Sequence, residues 1–253
     1  MDRSPAEILA EQAAAYVRGR PDYPPAIEGW LRDTLGLRPG KIAVDLGSGT
    51  GKALPRLIAT GAKVIAIEPL AAMRAHLVAL HPQIDAREGR AQALPLADGA
   101  VDAVICAQSF HLFATAEALA EIARVLKPEG ALGLLWNLRD DSVSWVARII
   151  DIMAAYDHDN ISHARQDWRR AFPAPAFSAL EEHSFANPQK GSPEAVIIDR
   201  VLSVSAIAKL PRPERDRLIA KVRDLIAAEP ELAGKTEVVF PNRTLACSCR
   251  KTA

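Results

Sequence analysis

The run Val44-Asp45-Leu46-Gly47-Ser48-Gly49-Thr50-Gly51 constrains the fold more than any other part of this chain. Apolar Ile42 and Ala43 lead into it, and a helix-compatible stretch, 52–59, follows. A buried strand, a glycine turn and a helix in that order open a βαβ unit. In an open α/β sheet, ligands bind beyond the carboxyl ends of the strands, so the turn is a candidate ligand site. Three glycines at alternating positions let the main chain turn sharply and approach a ligand without Cβ interference.

The surrounding pattern extends the unit. Strands are expected at 41–46, 63–68, 83–87, 101–107 and 131–136. Helices are expected between them at 51–60, 70–80, 115–126 and 143–157, with a loop at 88–99. Apolar strands alternating with amphipathic helices indicate a doubly wound α/β fold with a mostly parallel sheet. Two helices, 6–17 and 26–35, precede the alternation, separated by Arg18-Gly19-Arg20-Pro21-Asp22-Tyr23-Pro24-Pro25. Beyond residue 158 the pattern breaks. A short strand at 180–185 and helices at 193–202 and 213–228 are expected there. The end reads as strands 237–240 and 244–249 joined by Pro241-Asn242-Arg243, a hairpin that adds an antiparallel strand. One domain is expected over 1–253: a helical N-terminal lid (1–38), a ligand-binding core (39–157), a helical insertion with one strand (158–235) and the hairpin (236–253).

Positive and negative charges balance, 31 against 31, so the totals show no basic footprint of a nucleic-acid binder. No apolar run approaches the roughly 20 residues that span a bilayer, and the start lacks the layout of a signal peptide. Cys106 lies in an apolar run, and Cys247 and Cys249 share one strand face without further metal-ligand spacing. A soluble protein of a reducing cytoplasm is expected, with no metal, no nucleic-acid partner and no membrane. It is expected to act as a monomer or homodimer.

Two acids narrow the ligand. The spacing Gly47-x-Gly49-x-Gly51 departs from the G-x-G-x-x-G of nicotinamide-binding turns. Asp45 at the strand end repels a pyrophosphate and suits an ammonium or sulfonium group. Glu68 ends the next strand, where an acid accepts hydrogen bonds from both ribose hydroxyls. A nucleoside with a cationic amino-acid tail fits both, and S-adenosylmethionine is such a molecule.

With these residues in place, the chain resembles the class I S-adenosylmethionine-dependent methyltransferases over nearly its whole length. Val44–Gly51 is similar to their first motif, and Ile67-Glu68-Pro69 to their acidic second-strand end. Gly89-Arg90-Ala91-Gln92-Ala93-Leu94-Pro95-Leu96 resembles the loop bordering the adenine. Val101-Asp102-Ala103-Val104 and Leu126-Lys127-Pro128-Glu129-Gly130 resemble the fourth strand and the turn before the fifth. The resemblance implies a Rossmann-like fold of seven strands, the last antiparallel. Tyr16 with Arg20-Pro21-x-Tyr23-Pro24, Gln108-Ser109-Phe110-His111-Leu112-Phe113, Trp136-Asn137 and Ser203-x-Ser205 look like a subgroup related to trans-aconitate methyltransferases. Leu112 departs from it, since Trp is usual there.

The resemblance implies that Asp45, Gly47, Ser48, Gly49, Glu68, Pro69, Ala91, Gln92 and Gln108 hold the cofactor. It implies that Tyr16, Arg20, Tyr23, Ser109, His111 and Trp136 meet a small-molecule acceptor. His111 is the candidate for chemistry, because an unperturbed imidazole accepts a proton near neutral pH. A structural histidine at a helix start is the plain alternative. O-methylation of a carboxylate or hydroxyl is the expected reaction. A methyltransferase acting on RNA or protein, and a non-catalytic binder of S-adenosylmethionine, are the competing readings. Asp140-Asp141 is expected to be an acidic pair at a helix start, not a metal site. Trp145, Trp168 and Phe172 fit a core, a lid or an interface equally.

Overall fold

The computed structural model describes residues 20–156 and 167–252. The expected helix at 6–17 and Tyr16 lie outside them. The described elements are α1 (Ile27–Asp33), β1 (Ile42–Leu46), α2 (Leu54–Ile58), β2 (Lys63–Ile67), α3 (Ala71–Leu80), β3 (Asp85–Arg87), β4 (Val101–Ala107), α4 (Ala116–Val125), β5 (Leu126–Arg139) and α5 (Ser144–Ala154). They continue with β6 (Glu181–Ala186), β7 (Gln189–Gly191), α6 (Asp199–Leu202), α7 (Ser205–Ala208), α8 (Arg212–Ala228), β8 (Val238–Phe240) and β9 (Asn242–Arg250).

Seven strands form the main sheet in the order β3-β2-β1-β4-β5-β9-β6. β1 to β5 pair in parallel. Their sequences explain this, because Ile42–Leu46 and Val101–Ala107 are near-continuous apolar runs, the pattern of strands covered on both faces. β9 runs the other way. Lys251 N–H bonds the Gly130 carbonyl beside the start of β5, and Asp140 N–H bonds the Pro241 carbonyl at its end. The architecture is therefore the expected doubly wound, mostly parallel seven-stranded sheet with an antiparallel last strand.

The chain divides into two compact units. One comprises Asp22–Asn137, Gln166–Phe185 and Thr244–Ala253. Its core gathers Ile27, Trp30, Leu54, Ala103 and Leu135, among others. Among the described residues, the other takes in 20–21, 138–156 and Ala186–Arg243. Its core gathers Trp145, Ile149, Ile197, Val222 and Phe240. Of the segment expected as an insertion, the part from Ala186 onward thus shares a core with α5, whereas 167–185 belongs to the first unit. Trp145 is one of the fully buried residues of that shared core, with its indole N–H on Glu231 at 3.2 Å.

Local differences have local causes. The expected C-terminal hairpin does not form. β8 instead pairs antiparallel with β7, a strand the sequence pattern does not reveal, in a separate two-stranded sheet. Only Pro241 separates β8 from β9, whereas the common tight hairpins need at least two loop residues. The chain therefore passes on instead of folding back. α2 starts later than expected because Gly51 has φ +85° and Pro55 stands in its first turn. β5 begins at Leu126 rather than 131, with its register shifted near the left-handed Glu129. The helix expected at 193–202 opens with a π-helical turn, Glu194–Ile198.

α4 shows how a helix start is written into the sequence. The Thr115 hydroxyl accepts from Ala118 N–H, and Glu117 lies in the first turn. Thr115→Ala is expected to cost about 1 kcal/mol, measured by urea unfolding; no loss would mean that water serves the cap equally well.

Candidate active site

The strand order reverses between β1 and β4, which lie side by side with β2 and β5 beyond them. The carboxyl ends of β1 and β4 therefore border the crevice where open α/β sheets bind ligands. The glycine turn leaves β1 there, and Gln108–Phe113 leaves β4.

Asp45 is 1 % exposed, and among the described residues no geometric hydrogen bond reaches either carboxylate oxygen. The Ser48 hydroxyl is nearby but donates to the Asp45 main-chain carbonyl at 2.6 Å. Burial first, and then the neighbouring Glu68 charge, push the Asp45 carboxyl up to about 7. A buried acid without a donor is costly unless a partner of opposite charge arrives. An ammonium meets that requirement.

Glu68 is also buried, yet its oxygens are engaged. One accepts from Gly49 N–H and the other from Leu70 N–H, both at 3.0 Å. A carboxylate has about four lone-pair sites, so two remain for a ribose diol. Gly47 and Ser48 N–H both bond the Ile67 carbonyl, which lashes the turn to the end of β2. Pro69 is exposed, and its carbonyl and that of Glu68 are held by Arg74 at 2.8 Å each. Ala91 is buried while Gln92 is exposed. Their loop is tied to α4, where Glu121 accepts from Leu94 N–H and Arg124 bonds the Leu94 and Leu96 carbonyls.

Two expected site residues are tied to the scaffold. Ser109 is buried and donates to the Leu46 carbonyl at 2.6 Å, joining the ends of β4 and β1. It is a strut beneath the glycine turn. Gln108 has φ +60°, a conformation uncommon outside glycine, and its side-chain amide donates to the Asn137 carbonyl at 3.2 Å. It braces the β4 end against β5.

His111 is half-buried in the 3-10 turn Phe110–Leu112. Its Nδ1 lies 3.4 Å from the Trp136 indole nitrogen, so these two expected residues meet. Trp136 is 1 % exposed and stacks on Trp168, with ring centroids 4.3 Å apart. Phe110 meets Trp168 edge-on, and Phe172 packs against both. Trp168 and Phe172 thus belong to this cluster, which spacing alone could not reveal. Leu112, where the subgroup places Trp, is 76 % exposed.

Of the expected lid residues, Arg20 and Tyr23 are among those described. Tyr23 is a core residue, 3 % exposed. Arg20 belongs to the other unit, where it donates to the Ser203 carbonyl at 3.4 Å. The Asp22-Tyr23 segment itself lies beside the site. Lys52 pairs with Asp22 at 3.2 Å, Arg56 donates to the Tyr23 carbonyl, and Asn137 donates to the Asp22 carbonyl. Asn137 also accepts from Thr244 at 2.5 Å. Asp22, Lys52, Arg56 and Thr244 carried no motif that marked them.

Asp140 accepts from the Ser142 main-chain and side-chain donors ahead of α5, as an acid at a helix start does. Among the described residues no cluster fits a metal ion, and all three cysteines are free and buried. No helix among them is long and apolar enough to cross a membrane.

A family model for a methyltransferase domain matches residues 44–134. The chain is 37% identical over 239 residues to an uncharacterised methyltransferase-like protein of Schizosaccharomyces pombe, covering 94% of this chain and 93% of that one. It is 38% identical over 231 residues to an uncharacterised methyltransferase of Mycobacterium bovis, covering 91% and 90%. A candidate type II methyltransferase from Anaeromyxobacter dehalogenans shares the fold, with TM-score 0.70 at 23% identity over 92% of this chain and 97% of that one.

Proposed function

We propose that this chain, which belongs to the class I S-adenosylmethionine-dependent methyltransferases, methylates an oxygen of a small-molecule carboxylate or hydroxyl. The observation that carries the small-molecule reading is the Asp22-Tyr23 segment. Lys52, Arg56 and Asn137 hold it beside the glycine turn and the end of β5, and in this reading it limits the acceptor to a small molecule. A balanced net charge is consistent with an acceptor that is not a nucleic acid.

In this reading the donorless Asp45 carboxylate receives the cofactor's ammonium, and the Gly47–Gly49 main chain beds its amino-acid tail. Glu68 adds the ribose hydroxyls to the two N–H groups it already accepts. Ala91 and Gln92 border the adenine. When bound, the cofactor supplies a methyl group already activated on a sulfonium. The chain's remaining task is to align acceptor oxygen, methyl carbon and sulfur, and orientation supplies up to roughly 7–11 kcal/mol. The protein is proposed to act as a monomer or homodimer in the cytoplasm.

The test is turnover with S-adenosylmethionine and a panel of carboxylic acids, phenols and amines, read by mass spectrometry. A methylated small molecule is the expected result. Methyl transfer confined to an RNA or protein fraction would overturn the small-molecule reading.

Glu68→Gln is expected to weaken S-adenosylmethionine binding about 10- to 100-fold by calorimetry. The amide loses one of two charge-assisted acceptors for Gly49 and Leu70 and holds a diol less well. Unchanged affinity would remove Glu68 from the cofactor site.

A further inference from the structure

We propose that binding of S-adenosylmethionine expels a proton from Asp45, so that cofactor occupancy is tied to pH near neutrality. This rests on the cofactor placement above and adds to it a regulation of the same site.

Two buried acids meet at one corner of the sheet. Asp45 on β1 pairs in register with Ala66 on β2, and Glu68 follows Ala66 two residues later. Asp45 is 1 % exposed and Glu68 6 %. Their surroundings differ. Glu68 accepts from the Gly49 and Leu70 N–H groups, both at 3.0 Å. Among the described residues no geometric hydrogen bond reaches the Asp45 carboxyl, and the Ser48 hydroxyl donates to the Asp45 main-chain carbonyl instead.

Two carboxylates in one buried corner do not both ionise readily, and N–H donors favour the ionised form of the one they reach. The charge therefore goes to Glu68 and the proton to Asp45. Cys106 on the neighbouring β4 also feels the Asp45 charge. Burial pushes that thiol well above its ordinary value, so it stays neutral. Burial and the Glu68 charge together hold the Asp45 carboxyl at about 7, with the Ser48 hydroxyl offsetting a part. Among the described residues, the groups acting on Asp45 are thus an anion, a neutral thiol and a hydroxyl, and what the corner lacks is a cation.

An arriving ammonium supplies that cation, and an opposite charge favours the ionised form of an acid. The carboxyl O–H bond of Asp45 breaks, the proton passes to solvent, and the carboxylate keeps the electron pair and meets the ammonium. Below about pH 7 this release opposes binding, and above it Asp45 is already ionised. Affinity should therefore rise about fivefold from pH 6 to pH 7. S-adenosylmethionine and its demethylated product carry the same ammonium, so the proton governs occupancy and not the choice between them.

The test is titration calorimetry on the full-length protein at about pH 6, with S-adenosylhomocysteine as the probe, in two buffers of different protonation enthalpy. The difference in heat between the buffers counts the protons exchanged. Release of about 0.9 proton per site is expected. Methylthioadenosine, which lacks the amino-acid tail, should release none. S-adenosylhomocysteine should also release none from Asp45→Asn.

Equal heats in the two buffers for S-adenosylhomocysteine overturn the proposal and leave cofactor binding standing. Equal release by methylthioadenosine, or release that survives in Asp45→Asn, places the proton elsewhere and overturns it too. If neither S-adenosylmethionine nor S-adenosylhomocysteine binds between about pH 6 and pH 8, the cofactor placement itself fails, and the proposal with it. The comparison of ligands uses the unaltered protein, so it decides the matter whether or not the Asp45 variant folds.

Discussion

Asp45→Asn is expected to separate stability from function in opposite directions. Between about pH 4 and pH 7 the folded protein binds a proton at Asp45 that the unfolded chain has released, because burial raises this carboxyl from 3.8 to about 7. A state that binds more protons loses stability as pH rises. The unaltered protein therefore pays a penalty that grows through this window and is complete above it. At about 1.36 kcal/mol per pH unit, a change from 3.8 to about 7 amounts to roughly 4 kcal/mol. Asparagine does not titrate, so the stability of the variant relative to the parent should rise by roughly 4 kcal/mol between about pH 4 and pH 8. The comparison cancels groups of opposite sign, such as Glu121 and Glu182. Their hydrogen bonds from Arg124 and Arg169 lower their carboxyl values, and they lose stability only as pH falls further. The same substitution removes the charge that would meet an ammonium. S-adenosylmethionine affinity should fall by about 2–3 kcal/mol, some 30- to 140-fold. Urea unfolding across the pH range and calorimetry read the two effects. A flat stability difference would show that Asp45 is ionised without penalty, and equal affinity would place the ammonium elsewhere.

These two acids also show what a sequence can disclose. Asp45 and Glu68 were legible because a strand end and a turn are local, and the charge there is visible without knowing what lies above it. The parallel alternation through β5 was legible for the same reason, since apolar runs such as Ile42–Leu46 report their own burial. The aromatic cluster beside His111 was not. The Trp136–Trp168 stack joins β5 to a 3-10 turn in a Pro-punctuated segment, and no periodicity connects them. The Ser109 hydroxyl bonds the Leu46 carbonyl, a bond that depends on β1 and β4 being neighbours and that no local pattern discloses. The C-terminal hairpin failed at Pro241, where two β-favourable runs were visible but their partners were not. Pairing is a tertiary choice, and β7 lies far from β8 in the chain.

Substitution of Gly47 is expected to be far more damaging than substitution of Gly49, and a comparison of the two positions shows why. Both glycines have positive φ, +70° and +56°. Alanine at either position carries the left-handed penalty of about 1–2 kcal/mol. They differ in what a side chain would meet. A Cβ on Gly49 would find nothing within 4 Å, whereas one on Gly47 would lie 2.7 Å from the Ser109 Cβ and 3.1 Å from its hydroxyl oxygen. Ser109 cannot retreat freely, because that hydroxyl bonds the Leu46 carbonyl at 2.6 Å. Overpacking of this kind adds about 1–3 kcal/mol. Gly47→Ala should therefore cost about 2–5 kcal/mol and Gly49→Ala about 1–2 kcal/mol. The clash is pairwise, so removing its other half should relieve it. Ser109→Gly deletes the offending Cβ, and a double-mutant cycle should return about 1–3 kcal/mol of coupling between Gly47→Ala and Ser109→Gly. Additive losses would mean that the turn yields elsewhere and that Ser109 is not its floor. The same cycle read in S-adenosylmethionine affinity asks whether the cofactor bed depends on that floor. Restored stability should bring back the turn's N–H geometry, and binding should return with it.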